Sequence, residues 1–349
     1  MASSLYPLKF LPLYKNVLWG GNRLRNYGFN YDPLPNCGEL WVLSSVEGRE
    51  SVIANGFLAE NTINEAIEIY MGDLVGEKVY NRFGTEFPLL LKVIDAAQDL
   101  SIQVHPDDQL AQRRGMPHGK TEMWYVMQAD PEAQLISGFR RDTTPEEYTA
   151  ALHSGHLMDL LHSEHPATGD VFFIPAGRVH ALGKGLMVAE IQQTSDCTYR
   201  IYDYDRTDKD GKKRQLHTAE AMEAIDFRGI KGHAVTRYNA RPNETTTVAD
   251  CPYFTTRVVP LVAPTRKNLE QVESFAIYFC VDGLAAVKSM ETIVPMHAGE
   301  CVLVPAVADS VELFCEGHAK LLEITIDTSD WKDAPSTEND WMAQFVGRE

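Results

Sequence analysis

Short apolar runs closed by glycine, proline, aspartate or asparagine recur along the chain. They fall at 40–46 (LWVLSSV), 87–96 (FPLLLKVIDA), 100–105 (LSIQVH), 122–129 (EMWYVMQA), 170–175 (DVFFIP), 186–193 (LMVAEIQQ), 198–204 (TYRIYDY), 275–283 (FAIYFCVDG) and 301–305 (CVLVP). Runs of this length, rich in Val, Ile, Phe and Tyr and punctuated by turn formers, predict antiparallel strands in a sandwich or barrel. Helical periodicity is confined to two stretches. Over 60–80 apolar residues recur at Ile63, Ala66, Ile67 and Tyr70, and over 144–166 a second helix is predicted to open at Thr144, Pro145 and Glu146. The fold is expected to be mainly β, with helices inserted between strands.

A weak repeat organises these strands. The segment 169–182 (GDVFFIPAGRVHAL) lies on 299–312 (GECVLVPAVADSVE), matching Gly-acidic, a β run and Pro-Ala. Two copies of one β unit are expected. Ser310 stands where the first copy has His180, so metal chemistry is expected in the first copy only. The polar stretch 237–252 reads as the connection, which sets a catalytic domain at 1–240 and a second domain, without a metal site, at 241–349.

Charge narrows the partners. The 349 residues carry 32 Lys+Arg against 49 Asp+Glu, a net charge of -17. Such a surface repels the phosphate backbone of nucleic acid and anionic membranes. A phosphorylated small molecule would need a local basic pocket. The six cysteines form no C-x-x-C pair, the N-terminus MASSLYPLKF lacks the charged-then-apolar pattern of a secretion signal, and no apolar run approaches the length of a membrane span. Reduced thiols in the cytoplasm are the expectation.

Candidate chemistry gathers in three strands. Side chains two apart on a strand share a face, so Gln103 and His105 project together, as do Lys120 and Glu122. A Pro-Ala-Gly turn then delivers His180 from a separate strand. His105, Glu122 and His180, with the Gln103 amide oxygen as a further ligand, suit Zn²⁺ in a site that keeps a position open. The same mixed N/O set also suits Fe²⁺ or Mn²⁺, and a histidine beside a turn is often only a packed or surface residue.

These residues also carry a resemblance. SIQVHPDD, GKTEMWYV, DVFFIPAGRVHAL and EIQQTSDCTYRIYDYDR, with an early WGG at Trp19, Gly20 and Gly21, resemble type I mannose-6-phosphate isomerase in its short bacterial form, a cupin-superfamily enzyme, over about Leu8 to Ile326. The resemblance implies two cupin-type, jelly-roll β-barrel halves with short helical insertions. It implies one Zn²⁺ per chain on Gln103, His105, Glu122 and His180, with Arg200, Lys120 and Glu190 lining the active site. The implied reaction interconverts mannose 6-phosphate and fructose 6-phosphate through a cis-enediol.

A guanidinium at Arg200 would stabilise the enediolate without losing its proton, and either Glu190 or Lys120 could shuttle the proton. Ser101, Lys120 and Arg200, with Arg178, are the candidates to hold the hexose 6-phosphate. There is no Gly-rich phosphate loop. Arg200, Tyr202 and Tyr204 would share one strand face. His153, His156, His162 and His165 read as a solvated helix end, His297 as structural, and 203–217 as a solvated loop or hairpin near the site mouth. Two further readings of the ligand set are an iron-dependent oxygenase and a noncatalytic sugar-binding protein.

Overall fold

The computed structural model describes residues 5–208 and 210–331. Antiparallel pairing dominates, in sheets of seven, five and eight strands. The seven-stranded sheet is centred on Glu122–Ala129, Leu186–Gln193 and Leu89–Ala96. The five-stranded sheet runs in the order Tyr199–Tyr202, Ile102–Val104, His180–Leu182, Leu135–Phe139, Leu161–Glu164. The two face each other as a barrel. Ile94, Trp124, Val126, Phe172 and Val188 of the first meet Leu135 and Leu182 of the second in one core.

The opposite face of the seven-stranded sheet is equally dry. Leu91, Val93, Met123, Tyr125, Ala189 and Ile191 pack with Phe254, Phe275, Ile277, Phe279, Leu322 and Ile324 of the second half. Burial on both faces explains why 89–96 and 186–193 read as continuous apolar runs rather than as alternating ones. Residues from Thr246 onward build the eight-stranded sheet, and the N-terminal pair Leu8–Lys9 crosses over to join it beside Cys301–Val304. Inside this second barrel Val259, Val287, Val302, Val304, Leu313 and Leu321 form an apolar core.

The two copies of the repeat are folded alike. Val171–Ile174 and Cys301–Val304 follow glycines with φ of 95° at Gly169 and 94° at Gly299. His180 opens the next strand in one copy and Ser310 opens it in the other.

The expected helices form but are shorter. The first is Ile63–Val75, closed at its start by a capping box between Thr62 and Glu65, and it is followed after Gly76 by Glu77–Phe83. The second does not run to 166. Pro145–Ser154 ends at Gly155, whose φ of 77° is left-handed, then comes the short Leu157–Leu160. Leu161–Glu164 leaves the helix to pair with Leu135–Phe139. The 198–204 run is corrected as well. Its strand stops at Tyr202, and Tyr204 and Asp205 take positive φ, so Tyr204 does not continue the face of Arg200.

Candidate active site

Sheet register brings the polar residues into rows across the barrel interior. His180 and Arg200 both pair with Gln103 across the five-stranded sheet. On the facing sheet Glu190 pairs with Lys92 on one side and Trp124 on the other, and Gln192 pairs with Glu122. Directly opposed residues of an antiparallel pair point to the same face, so each row aims its side chains at the same interior.

His105, Glu122 and His180 are each fully buried, and one ligand atom from each lies within 4.8 Å of the others. His105 Nε2 is 3.4 Å from Glu122 Oε2, and His180 Nε2 is 3.3 Å from Glu122 Oε1. The Gln103 amide nitrogen Nε2 lies 3.2 Å from His180 Nε2, and a flip of that amide presents its oxygen there instead. His180 Nδ1 is 2.8 Å from the Arg178 carbonyl. Only a protonated Nδ1 can donate to a carbonyl, which leaves the Nε2 lone pair facing the cluster.

Neither Glu122 oxygen nor His105 Nδ1 has an aligned hydrogen-bond partner. A buried carboxylate whose oxygens have no aligned hydrogen bond, with the Nε2 atoms of two imidazoles converging on it, fits a divalent cation. Among the described residues no other group of His, Cys, Asp and Glu converges in this way.

Around the cluster the charges are tightly matched. Lys120 Nζ is 3.0 Å from Glu122 and 3.2 Å from His105 Nε2. Burial opposes the Lys120 charge, but Glu122 and Glu190 outweigh it and hold its pKa above the ordinary lysine value. Burial and Lys120 push His105 down to about 3, so its imidazole is neutral. Burial raises the Glu190 carboxyl, although Lys92 pulls against it. Glu190 Oε1 accepts from Trp124 Nε1 at 3.0 Å, and Oε2 lies 3.3 Å from Lys92.

The mouth is basic. Arg200 donates Nη1 to the Gln215 carbonyl at 2.9 Å and leaves a buried Nε unpaired. Burial and the neighbouring Arg214 lower its pKa. Arg206 and Arg214 both bind Asp203. Gln215 and His217 hold Arg200 from the following segment, in which a bridge joins Thr207 to Lys213.

Of the residues singled out by sequence, Gln103, His105, Lys120, Glu122, His180, Glu190 and Arg200 share the interior. Ser101 is buried just ahead of the strand carrying Gln103. Arg178 serves the cluster through its carbonyl only, for its guanidinium turns to the Phe173 carbonyl at 2.7 Å. The histidine-rich stretch stays outside, with His156 paired to Asp159 and His162 to Glu164. His297 sits against Phe29 and Glu300. Lys92 escaped the sequence reading, although it is 4% exposed and contacts Glu190. Its signal was a lone cation inside an apolar run, since an unpaired buried charge is costly.

Known proteins resolve which enzyme this geometry serves. Residues 8–157 match the family described as phosphomannose isomerase type I, catalytic domain, and residues 243–326 match the mannose-6-phosphate isomerase cupin domain. Mannose-6-phosphate isomerase ManA of Bacillus subtilis is 36% identical over 321 residues, 90% of this chain and 98% of the relative. The chain belongs to the type I phosphomannose isomerase family.

Membership extends to shape. The crystal structure of mannose 6-phosphate isomerase from Bacillus subtilis superposes with a TM-score of 0.80 at 30% identity, over 92% of this chain and all of that one. Mannose-6-phosphate isomerase of Streptococcus mutans is 38% identical over 240 residues, 68% of this chain and 73% of the relative. A mutant phosphomannose isomerase from Salmonella typhimurium, at 20% identity and a TM-score of 0.74, shares the fold. The chain is therefore an isomerase of a metal-dependent, cupin-containing family, and the oxygenase and noncatalytic readings fall away. No helix among the described residues is long and apolar enough to cross a membrane.

Proposed function

We propose that this enzyme interconverts mannose 6-phosphate and fructose 6-phosphate with one Zn²⁺ held by His105, Glu122, His180 and the Gln103 amide oxygen. The observation that carries the reading is the buried His105–Glu122–His180 cluster, whose carboxylate oxygens lack aligned hydrogen bonds. Zinc suits it because aldose–ketose isomerisation needs no electron transfer and the ligands are imidazole, carboxylate and amide. When bound, the ion polarises a sugar oxygen and offsets the negative charge that builds on it.

The chain's own groups supply the rest. Glu190, buried and raised in pKa, takes the proton from one carbon of the C1–C2 pair and returns it to the other, while the hydroxyl proton passes between the two neighbouring oxygens of the cis-enediol. Trp124 holds one of its oxygens by a hydrogen bond, and the Lys92 ammonium lies beside the other without an aligned bond. Lys120 and Arg200 keep their protons and stabilise the enediolate electrostatically. Arg200 and Lys120, with Ser101, hold the hexose 6-phosphate, and the basic mouth offsets the repulsion expected from a net charge of -17. The catalytic half is placed at 1–240 and a metal-free half at 241–349, and the cytoplasm is the proposed location, in keeping with six unpaired thiols.

The test is conversion of mannose 6-phosphate to fructose 6-phosphate by purified protein, before chelation, after it and after zinc is restored. Activity is expected to vanish with the chelator and return with zinc. His180→Ala is expected to lose bound zinc and activity together, whereas Arg200→Ala keeps the zinc and loses turnover. Stoichiometric zinc and a normal rate in His180→Ala would place the metal elsewhere.

A further inference from the structure

The 251–254 turn of the second half sends one hydroxyl into the first. Tyr253 Oη donates to Asp108 Oδ2 at 2.8 Å. Asp108 opens the helix Asp108–Arg113, just beyond His105. Its other oxygen, Oδ1, accepts from Gly119 N at 2.8 Å and from Gln193 Nε2 at 3.0 Å. Gln193 Oε1 accepts from Thr121 N at 2.8 Å, and Lys120 N donates to the Pro106 carbonyl at 2.9 Å. The amides of Gly119, Lys120 and Thr121 are thus all held, and the outer two depend on Asp108, one directly and one through Gln193.

The fit is close. A Cβ on Gly119 would lie 2.5 Å from the Asp107 carbonyl carbon, so the loop lies flat on the turn that follows His105. Its middle residue carries the ammonium 3.0 Å from Glu122. A second contact braces the same loop. His118 bonds Glu86 at 2.6 Å and packs on Phe83, whose ring meets Trp331 of the second half.

We propose that Tyr253 is a positioning residue through which the metal-free half takes part in catalysis, by holding Asp108 and with it the backbone that aims Lys120. This rests on Lys120 acting in the reacting site as described above. Hydrogen-bond chains of this kind set side-chain placement, and small misplacements at a reacting centre are costly in rate.

Tyr253→Phe removes only the hydroxyl. It is expected to lower kcat about tenfold with KM, zinc content and melting temperature near those of the parent, and to speed amide hydrogen exchange at Gly119 and Thr121. Asp108→Asn is expected to act in the same direction, and adding Tyr253→Phe to it should change kcat no further. Tyr238→Phe is the control, since that hydroxyl donates to the Gly169 carbonyl at 2.8 Å; it should leave kcat and the exchange alone. An unchanged kcat in Tyr253→Phe overturns the proposal, as does a loss that merely tracks lost zinc or lost fold, or one that Tyr238→Phe reproduces. A zinc-loaded parent without isomerase activity would fail the functional reading instead, and the exchange rates would still decide whether Tyr253 holds the loop.

Discussion

Glu122 has no accessible surface, and it faces two imidazoles and an ammonium without an aligned hydrogen bond to any of them. Burial would raise its pKa, but Lys120, His105 and His180 outweigh that and hold it well below the usual carboxylate range. Its partner His105 is pushed down as well, to about 3, which keeps the imidazole neutral where the carboxylate is kept charged. In chelated protein the sign of the resulting pH dependence follows. Between about 3 and the ordinary histidine value of 6.5 the unfolded chain binds a proton here that the folded one does not, so this residue's contribution to stability falls as pH drops through that window. Urea midpoints of the chelated protein should therefore decrease from pH 7 to pH 5, with a shallower decrease in His105→Asn. Equal slopes would show that His105 is not buried in its neutral form. Glu190 yields the catalytic prediction at this scale. Glu190→Gln keeps the shape and the Trp124 contact but cannot take a proton, so kcat should fall on the order of 10²–10⁴-fold with zinc content intact.

At the scale of elements, period-2 spacing on strands was readable because each ligand pair sits on one strand or at its end. Gln103 with His105 and Lys120 with Glu122 needed only the alternation of side chains. What spacing could not supply was the pairing between strands distant in sequence, which sets His180 and Arg200 beside Gln103. Glu190 and Arg200 were reached through resemblance, and Lys92 was missed because its strand is buried on both faces and shows no polar alternation. The 144–166 stretch misled for a different reason. Its apolar residues keep a helical rhythm past Gly155, yet Leu161–Glu164 gains more by completing the edge of a sheet, and tertiary pairing overrides local propensity. Gly155 is the switch. Its left-handed φ of 77° meets no neighbour that a methyl group would touch, so Gly155→Ala should cost about 1–2 kcal/mol through backbone strain alone. An unfolding free energy lowered by that amount in urea titrations, with unchanged kcat, is the expected result. No loss would mean that the backbone there relaxes to negative φ.

For the whole molecule, the repeat in sequence corresponds to two folded copies with different interiors. One barrel gives part of its interior to charged and polar side chains beside its apolar core, and the other is filled mainly with aliphatic side chains and opens its matching strand with Ser310 in place of His180. A barrel whose interior is polar gains less from its own core, so the outer face of the catalytic sheet and its apolar seam with the second half become important to stability. Phe275 tests that seam. It is fully buried, its ring centroid lies 4.6 Å from that of Phe87, and its amide bonds the Val75 carbonyl. Truncating a phenylalanine in such a place costs about 3–5 kcal/mol. Trp19, Trp41 and Trp124 belong to the first half and Trp331 and Trp341 to the second, so in a background with Trp331→Phe and Trp341→Phe fluorescence reports on the half that does not carry the substitution. If the halves fold as one unit, Phe275→Ala should lower the fluorescence melting temperature by as much as the circular-dichroism one. Should the tryptophans keep the parent's melting temperature, the seam would not couple the halves, and each barrel would have to be stable by itself.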